Sequence, residues 1–259
     1  MQKPSVLFIH GMWGTPKVWE HFLPMFEKAG FTTSAVTLRH HDRLITEPAP
    51  DGLGTTSLLD YVDDVVTHVN AQQTAPVLVG HSMGGLIAQL VAARTDNIAA
   101  VIALTPAPPA GVLALKPTTM KIFRKILLSG KFWKKPTRLD WDAARYGLYH
   151  NLPEEEAREH YADMVWESGR ATFEIAFWTM DKGKASKLDR ENIKCPVLMI
   201  SGGKDRTVNA SVVKASAKRY KGKAEYVELA EHSHWLLGEQ GWEAVAARCI
   251  DWLDEHPNS

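Results

Sequence analysis

The sequence predicts an α/β fold: a mostly parallel sheet flanked by helices, with a helical segment inserted before the penultimate strand. Three observations predict it. Short apolar runs alternate with helical patterns along most of the chain, which is the mark of a parallel sheet covered on both faces. The pentapeptide Gly80-His81-Ser82-Met83-Gly84 separates the apolar run 76–79 from the apolar stretch 85–93, so a serine stands where a buried strand turns sharply into a helix. Between Thr105 and about Arg190 the alternation stops.

The elements follow in order. Ser5 to Ile9 reads as a buried strand that runs into His10-Gly11-Met12-Trp13-Gly14. Thr15 is an N-cap with Pro16 at the first helical position, opening a helix to about Ala29 that stops at Gly30. Strand Thr33 to Leu38 comes next, then a polar loop from His40 to Gly54, rich in Pro and Gly. Ser57, with Asp60 three residues on, starts a helix to about Val69. Strand Val77 to Val79, the helix after Ser82 and strand Ala99 to Leu104 complete the first half of the core. The insertion then holds helices near Lys116 to Ser129, Leu139 to Tyr149, Glu154 to Glu167 and Thr172 to Met180, broken at Gly130, Pro136 and Pro153. Strand Pro196 to Ser201, helix Ala210 to Tyr220, strand Ala224 to Leu229 and a helix from about Gly241 to Glu255 close the core. The expected division is core 1–106, insertion 107–190 and core 191–259.

With 259 residues, 45% apolar and 23% charged, the chain can bury one large core with a decorated edge. Thirty basic and thirty acidic residues cancel, so overall charge argues for neither nucleic acid nor an anionic membrane as partner. Cys195 and Cys249 both lie beside apolar segments, which favours buried thiols over a disulfide and implies no oxidising compartment. The first strand begins within a few residues of Met1, leaving no room for a signal peptide, and no apolar run approaches the roughly 20 residues of a membrane span. A cytoplasmic protein without stable membrane insertion is expected.

Alone, G-x-S-x-G is weak, because it turns up by chance in roughly one chain in ten of this length. A serine hydroxyl is also barely nucleophilic at neutral pH, so chemistry at Ser82 requires a base and a group that orients it. Two later strands lead into suitable loops: Gly202-Gly203-Lys204-Asp205-Arg206 and Ala230-Glu231-His232-Ser233-His234-Trp235. Serine, acid and histidine thus fall in order at the carboxyl ends of predicted parallel strands, the edge that carries ligands in such sheets.

With these residues the chain resembles the α/β-hydrolase fold superfamily, as a serine esterase or lipase-like member with a helical cap. The resemblance runs from Ser5 to Glu255 and is specific at His10-Gly11, at Gly80 to Gly84, at Ser201 to Asp205, and at His234 followed five residues later by Glu239. It implies Ser82 as nucleophile, Asp205 as acid and His234 as base. It also implies the backbone N–H groups of Met12 and Met83 as the oxyanion hole, which stabilises charge developing on a carbonyl oxygen. The insertion lies where the family places its cap. A carboxylesterase cleaving apolar short-to-medium acyl esters is the function implied, with no metal or organic cofactor and a small-molecule ester as partner. The same triad serves a lactonase, thioesterase or C–C bond hydrolase, and a hydrolase-like ligand receptor is a further alternative. Nucleophilic serine argues against the dehalogenase and epoxide hydrolase branches, which use aspartate.

Each position also has a blander reading. A serine after a strand is ordinarily a helix N-cap, and Asp205 could simply cap the next helix; four motifs in order outweigh both. His232 shares the loop of His234, with Ser233 where the family usually has glycine. His81 is expected to pack beneath the serine and His10 to shape the oxyanion loop. His40, His41, Asp42 and Glu47 lack the i, i+4 spacing of a helical ligand pair and read as a solvated loop rather than a metal site. Eight basic and no acidic residues lie between Lys116 and Arg138, interleaved with apolar ones. They read as a solvated face whose apolar side packs on the core, in preference to a membrane-surface helix. Trp13 and Trp235, flanking the oxyanion and base loops, are candidate pocket residues. Some of Trp133, Trp141, Trp166, Trp178, Phe132, Tyr146, Tyr149, Phe173 and Phe177 in the insertion should also face the triad.

Overall fold

A computed structural model describes residues 3–114 and 116–256. Its core is one six-stranded sheet, parallel throughout: β1 (Ser5–Ile9), β2 (Thr32–Val36), β3 (Val77–His81), β4 (Ala100–Leu104), β7 (Val197–Gly202) and β8 (Ala224–Leu229), in the spatial order β2-β1-β3-β4-β7-β8. Alternate residues of each strand enter two separate cores. Leu7, Ile9, Leu78 and Met199 meet α2 (Leu58–Asn70), α3 (Met83–Ala92) and α8 (Ala210–Lys218) on one face. Val6, Phe8, Val79 and Ile200 meet α1 (Phe22–Lys28) and α9 (Trp242–Glu255) on the other. Every residue of α3 is buried, which matches its lack of a polar face.

The predicted first helix is divided. Thr15 does cap it, its hydroxyl accepting from Lys17 N, but residues Pro16–Trp19 form a single 3₁₀ turn and α1 starts only at Phe22. The reason is Pro24, which has no N–H for the Glu20 carbonyl and whose ring would crowd it. Further on, Ser57 and Asp60 form a reciprocal capping box at the start of α2, as their spacing predicts.

Between β4 and β7 the chain leaves the sheet and forms α4 (Pro117–Leu128), α5 (Trp141–Gly147), α6 (Glu154–Ala162) and α7 (Gly169–Ala176). It also contains a small antiparallel pair, β5 (Pro136–Thr137) with β6 (Glu167–Ser168), at the expected break at Pro136 and the end of the expected helix to Glu167, where no strand was expected. The helix predicted to reach Glu167 ends at Ala162 because the next residues pair elsewhere: Val165 N donates to the Trp13 carbonyl at 3.0 Å and Val165 bridges Leu44. On α4, Ile122 and Ile126 are buried while Met120 and Leu128 are exposed, so the apolar side packs inward only in part.

The loop 40–54 is not the solvated segment that its composition predicts. His41, Ile45 and Leu53 are buried, and His41 Nε2 meets Glu167 of β6 at 3.1 Å. A second carboxylate, Glu174 of α7, accepts from Ser57 Oγ at 2.9 Å and from Leu58 N at 2.7 Å. It caps α2 from another part of the chain, at the end where the helix dipole favours negative charge. Cys249 is buried and Cys195 partly so; both are free.

Helix α3 lies so close to the sheet that a Cβ on Gly84 would overlap the Ile9 carbonyl oxygen. Gly84→Ala is therefore expected to destabilise the protein by about 2–3 kcal/mol through overpacking, measured as a lower urea midpoint at unchanged m-value. A midpoint equal to wild type would show that the two elements separate without cost.

Candidate active site

Ser82 sits between β3 and α3 at φ 54° and ψ −118°, a left-handed backbone that a non-glycine residue adopts only when its surroundings impose it. Here they do. Ser82 N donates to Leu104 O of β4 at 2.9 Å, and its carbonyl accepts from Gly85 N at 3.0 Å and Ala107 N at 2.9 Å. The turn lifts the side chain off the sheet edge into a cleft. Gly11 faces it so closely that a Cβ there would lie 2.9 Å from Ser82 Cβ. The Ser82 hydroxyl has no hydrogen-bond partner among the described residues.

Asp205, on the loop after β7, and His234, on the loop after β8, are both buried and joined by a 2.7 Å bond between Asp205 Oδ2 and His234 Nδ1. The other Asp205 oxygen accepts from Thr207 N at 2.7 Å and Val208 N at 2.8 Å, so the carboxylate cannot rotate away. Of the two histidines in this loop only His234 meets the acid; His232 lies beside Gly241. The loop itself is tied by Glu239, a buried carboxylate accepting from Ser233 N and Oγ at 2.6 Å each. His81 Nε2 donates to the His234 carbonyl at 2.9 Å. His81 therefore supports the loop that carries His234 as well as packing near Ser82.

Met12 follows β1 and lines both clefts with Ser82, and Met83 is the first residue of α3. Neither amide donates to a protein acceptor among the described residues. Two clefts of about 700 Å³ each, mouths included, meet at Ser82. The first is lined by Ser82, His234, Trp13 and Trp235, with Lys17 and Asp163 also on its wall. The second is apolar, lined by Ala107, Pro108, Phe123, Leu127, Ile175 and Ala176 among others.

Of the nine insertion aromatics, some of which were expected to face Ser82 and His234, Tyr149 alone among the described residues lines either cleft. Phe132, Trp133, Phe173 and Phe177 pack on one another instead, and Trp141 packs edge-on against Tyr161. The first cleft mixes aromatic and polar side chains while the second is largely aliphatic, and Phe123, Ile175, Ala176 and Thr207 on these walls were not among the residues expected from the sequence. A helical apolar residue carries no local mark that separates core from cleft.

Among the described residues no group of three or more His, Cys, Asp or Glu side chains is placed to hold a metal, and no helix is long and apolar enough to cross a membrane.

The alpha/beta hydrolase family profile matches residues 6–248. No curated protein sequence matches this chain. Solved structures do. A monoacylglycerol lipase from Paleococcus ferrophilus is 20% identical with a TM-score of 0.72, covering 99% of this chain and 97% of its own. A methylesterase from Arabidopsis is 17% identical with a TM-score of 0.72 over 97% and 99%. A pyrethroid hydrolase from Sphingobium faniae is 18% identical with a TM-score of 0.69 over 97% of both. At these identities the likeness is one of fold.

The buried histidines give the fold an acid limit. Burial first, then the neighbouring His41 and His81, hold His10 down to about 3; burial and His234 do the same to His81. Below the ordinary histidine value the unfolded chain takes up protons that these folded imidazoles refuse. Their contribution is thus present above pH 6.5 and lost as the pH falls toward 3. Each is expected to lose about 2 kcal/mol between pH 7 and pH 5. His41, raised by Glu167 against the effect of burial, acts in the opposite sense. The urea midpoint should fall between pH 7 and pH 5, and fall less in His81→Gln, which keeps a donor for the His234 carbonyl and does not titrate. Equal losses in the two proteins would exclude His81 as a source.

Proposed function

The chain belongs to the alpha/beta hydrolase family, and from that premise we propose that it is a carboxylesterase cleaving apolar esters of short to medium acyl length through Ser82, His234 and Asp205. The observation that carries this reading is the meeting of two unlike clefts at Ser82, of which only one is lined by His234. An ester has two arms, and the leaving oxygen must depart beside the group that protonates it. The alcohol arm therefore occupies the cleft shared by Ser82 and His234, and the acyl arm the apolar cleft.

Ser82 Oγ attacks the ester carbonyl while His234 Nε2 takes its proton. Asp205 holds the His234 Nδ1–H and stabilises the imidazolium that forms. The amides of Met12 and Met83 receive the developing oxyanion. Collapse of the tetrahedral intermediate expels the alcohol, protonated by His234, and leaves an acyl-enzyme on Ser82. Water then attacks the acyl carbonyl as His234 takes its proton, and the second tetrahedral intermediate expels Ser82 Oγ, to which His234 returns the proton, releasing the acid. Among the described residues Ser82 Oγ has no partner, and in this reading its bond to His234 tightens in the substrate complex, as is common for catalytic hydrogen bonds. The lipase and methylesterase among the solved neighbours support an ester as the bond cleaved.

Ser82→Ala is expected to lower kcat by about 10⁶-fold, as loss of a triad nucleophile does in subtilisin, and to abolish covalent labelling by a fluorophosphonate while the thermal midpoint is retained. Full-rate labelling of the variant would place the nucleophile elsewhere. An unlabelled but folded wild-type protein would favour a ligand receptor.

On p-nitrophenyl esters, kcat/KM should rise from acetate, gaining at most about fourfold per CH₂ at 0.8 kcal/mol each. It should peak between about C4 and C8 and then fall as the apolar cleft is overfilled. Ala176→Trp, on the wall of that cleft, should move the peak to shorter chains. A steady rise to palmitate would exclude an enclosed acyl site, and faster turnover of a lactone or thioester run in parallel would reassign the bond cleaved.

A further inference from the structure

Resting on the reading of Met12 as an oxyanion donor, we propose that Glu167, a residue of the inserted segment that touches no reacting atom, is a positioning residue for that donor, acting through His41 and His10. The Gly11–Met12 peptide is one planar unit, so whatever holds the Gly11 carbonyl also aims the Met12 N–H. That carbonyl accepts from His10 Nδ1 at 2.9 Å and from Gly14 N at 3.3 Å. His10 Nε2 accepts from Leu38 N at 3.2 Å, which places its single proton on Nδ1, where the bond to Gly11 needs it.

The plane of the His10 ring is set in turn by its neighbour. His10 and His41 are wholly buried, with ring centroids 5.0 Å apart. His41 Nδ1 donates to the Arg39 carbonyl at 3.0 Å, and His41 Nε2 meets Glu167 Oε2 at 3.1 Å. The ring is therefore gripped at both nitrogens. Glu167 has no exposed surface and is itself held: its Oε1 accepts from the Tyr61 hydroxyl at 2.9 Å and from Ser168 N at 2.5 Å.

A second strut joins the same two parts of the chain. Trp13, next to Met12, has φ 58°; its carbonyl accepts from Val165 N at 3.0 Å and its indole N–H donates to the Thr137 carbonyl at 3.3 Å. Both partners belong to the insertion, within two residues of Glu167 or paired with it in the small sheet. The oxyanion loop is thus fixed from outside the core, by the segment that also walls the substrate clefts. An N–H tilted by a fraction of an ångström loses transition-state stabilisation more than ground-state binding.

The test is kcat per active site, counted by fluorophosphonate titration so that unfolded protein drops out. Glu167→Ala is expected to lower kcat by about 10- to 100-fold with KM within about twofold. It should weaken a trifluoromethyl ketone, which forms an oxyanion on Ser82, by the same factor, and leave binding of the product alcohol unchanged. Glu167→Gln, whose amide still accepts from Tyr61 and can donate to neutral His41, should stay within about threefold of wild type. Where Glu167→Ala does not fold, Tyr61→Phe removes one support and should lower kcat a few-fold with the same split. Unchanged kcat per titrated site, or equal loss of ketone and alcohol binding, overturns the proposal. A wild-type protein that resists fluorophosphonate overturns the nucleophile instead, and the two failures are distinct.

Discussion

The approach of α3 to the sheet is the constraint on which the rest depends. Without a side chain at Gly84, the helix comes within contact of the Ile9 carbonyl. At that separation the chain can leave β3 and enter α3 only through a residue with positive φ. The strain of that residue, of order 1–3 kcal/mol, is offset by backbone bonds that lock Ser82 to Leu104 of β4, to Ala107 just beyond it and to the first turn of α3. The same approach brings the first amide of α3 beside the loop after β1, so that the candidate nucleophile and both candidate oxyanion donors come from one packing contact.

The inserted segment is joined to the core by charge as well as by apolar contact. Glu167 and Glu174 are almost wholly buried, and each is surrounded by donors from the core. Asp181 is also buried; it accepts from Gly183 N and Ala185 N and pairs with Arg170, which pairs with Glu174 as well. Buried carboxylates are poor sources of net stability, because desolvation offsets most of what their bonds return. What they supply is direction: an apolar seam tolerates sliding, whereas a carboxylate with three fixed donors fits one docking.

The sheet, its helices and the three loops of the candidate site were legible because each has a local cause. Four of the six strands are apolar runs, the Ser57–Asp60 pair marks a helix start, and Ser82, Asp205 and His234 follow strands directly. The unreadable part has non-local causes. Nothing near His41 in the chain announces that Glu167 will neutralise it, so a polar loop looked solvated. Val165 looked helical because its true partner, the Trp13 carbonyl, is 152 positions away. Aromatic residues of the insertion looked like pocket walls because their number exceeded what a small core needs, yet they satisfied one another. The division of the first helix has a local cause as well: Pro24 stands in the sequence as plainly as Pro16.

Pairing of β4 with β7 encloses the entire inserted segment, and the contact of Gly84 with Ile9 closes most of the first third of the chain. Loops of that length form late, since their closing entropy precedes any return from the contacts they make. Helices and the β1–β2 unit can therefore be in place while Ser82 still lacks its turn. The strained turn at Ser82 is then the part of the candidate site whose formation waits on the longest loop closures, whereas the helices around it need only local contacts.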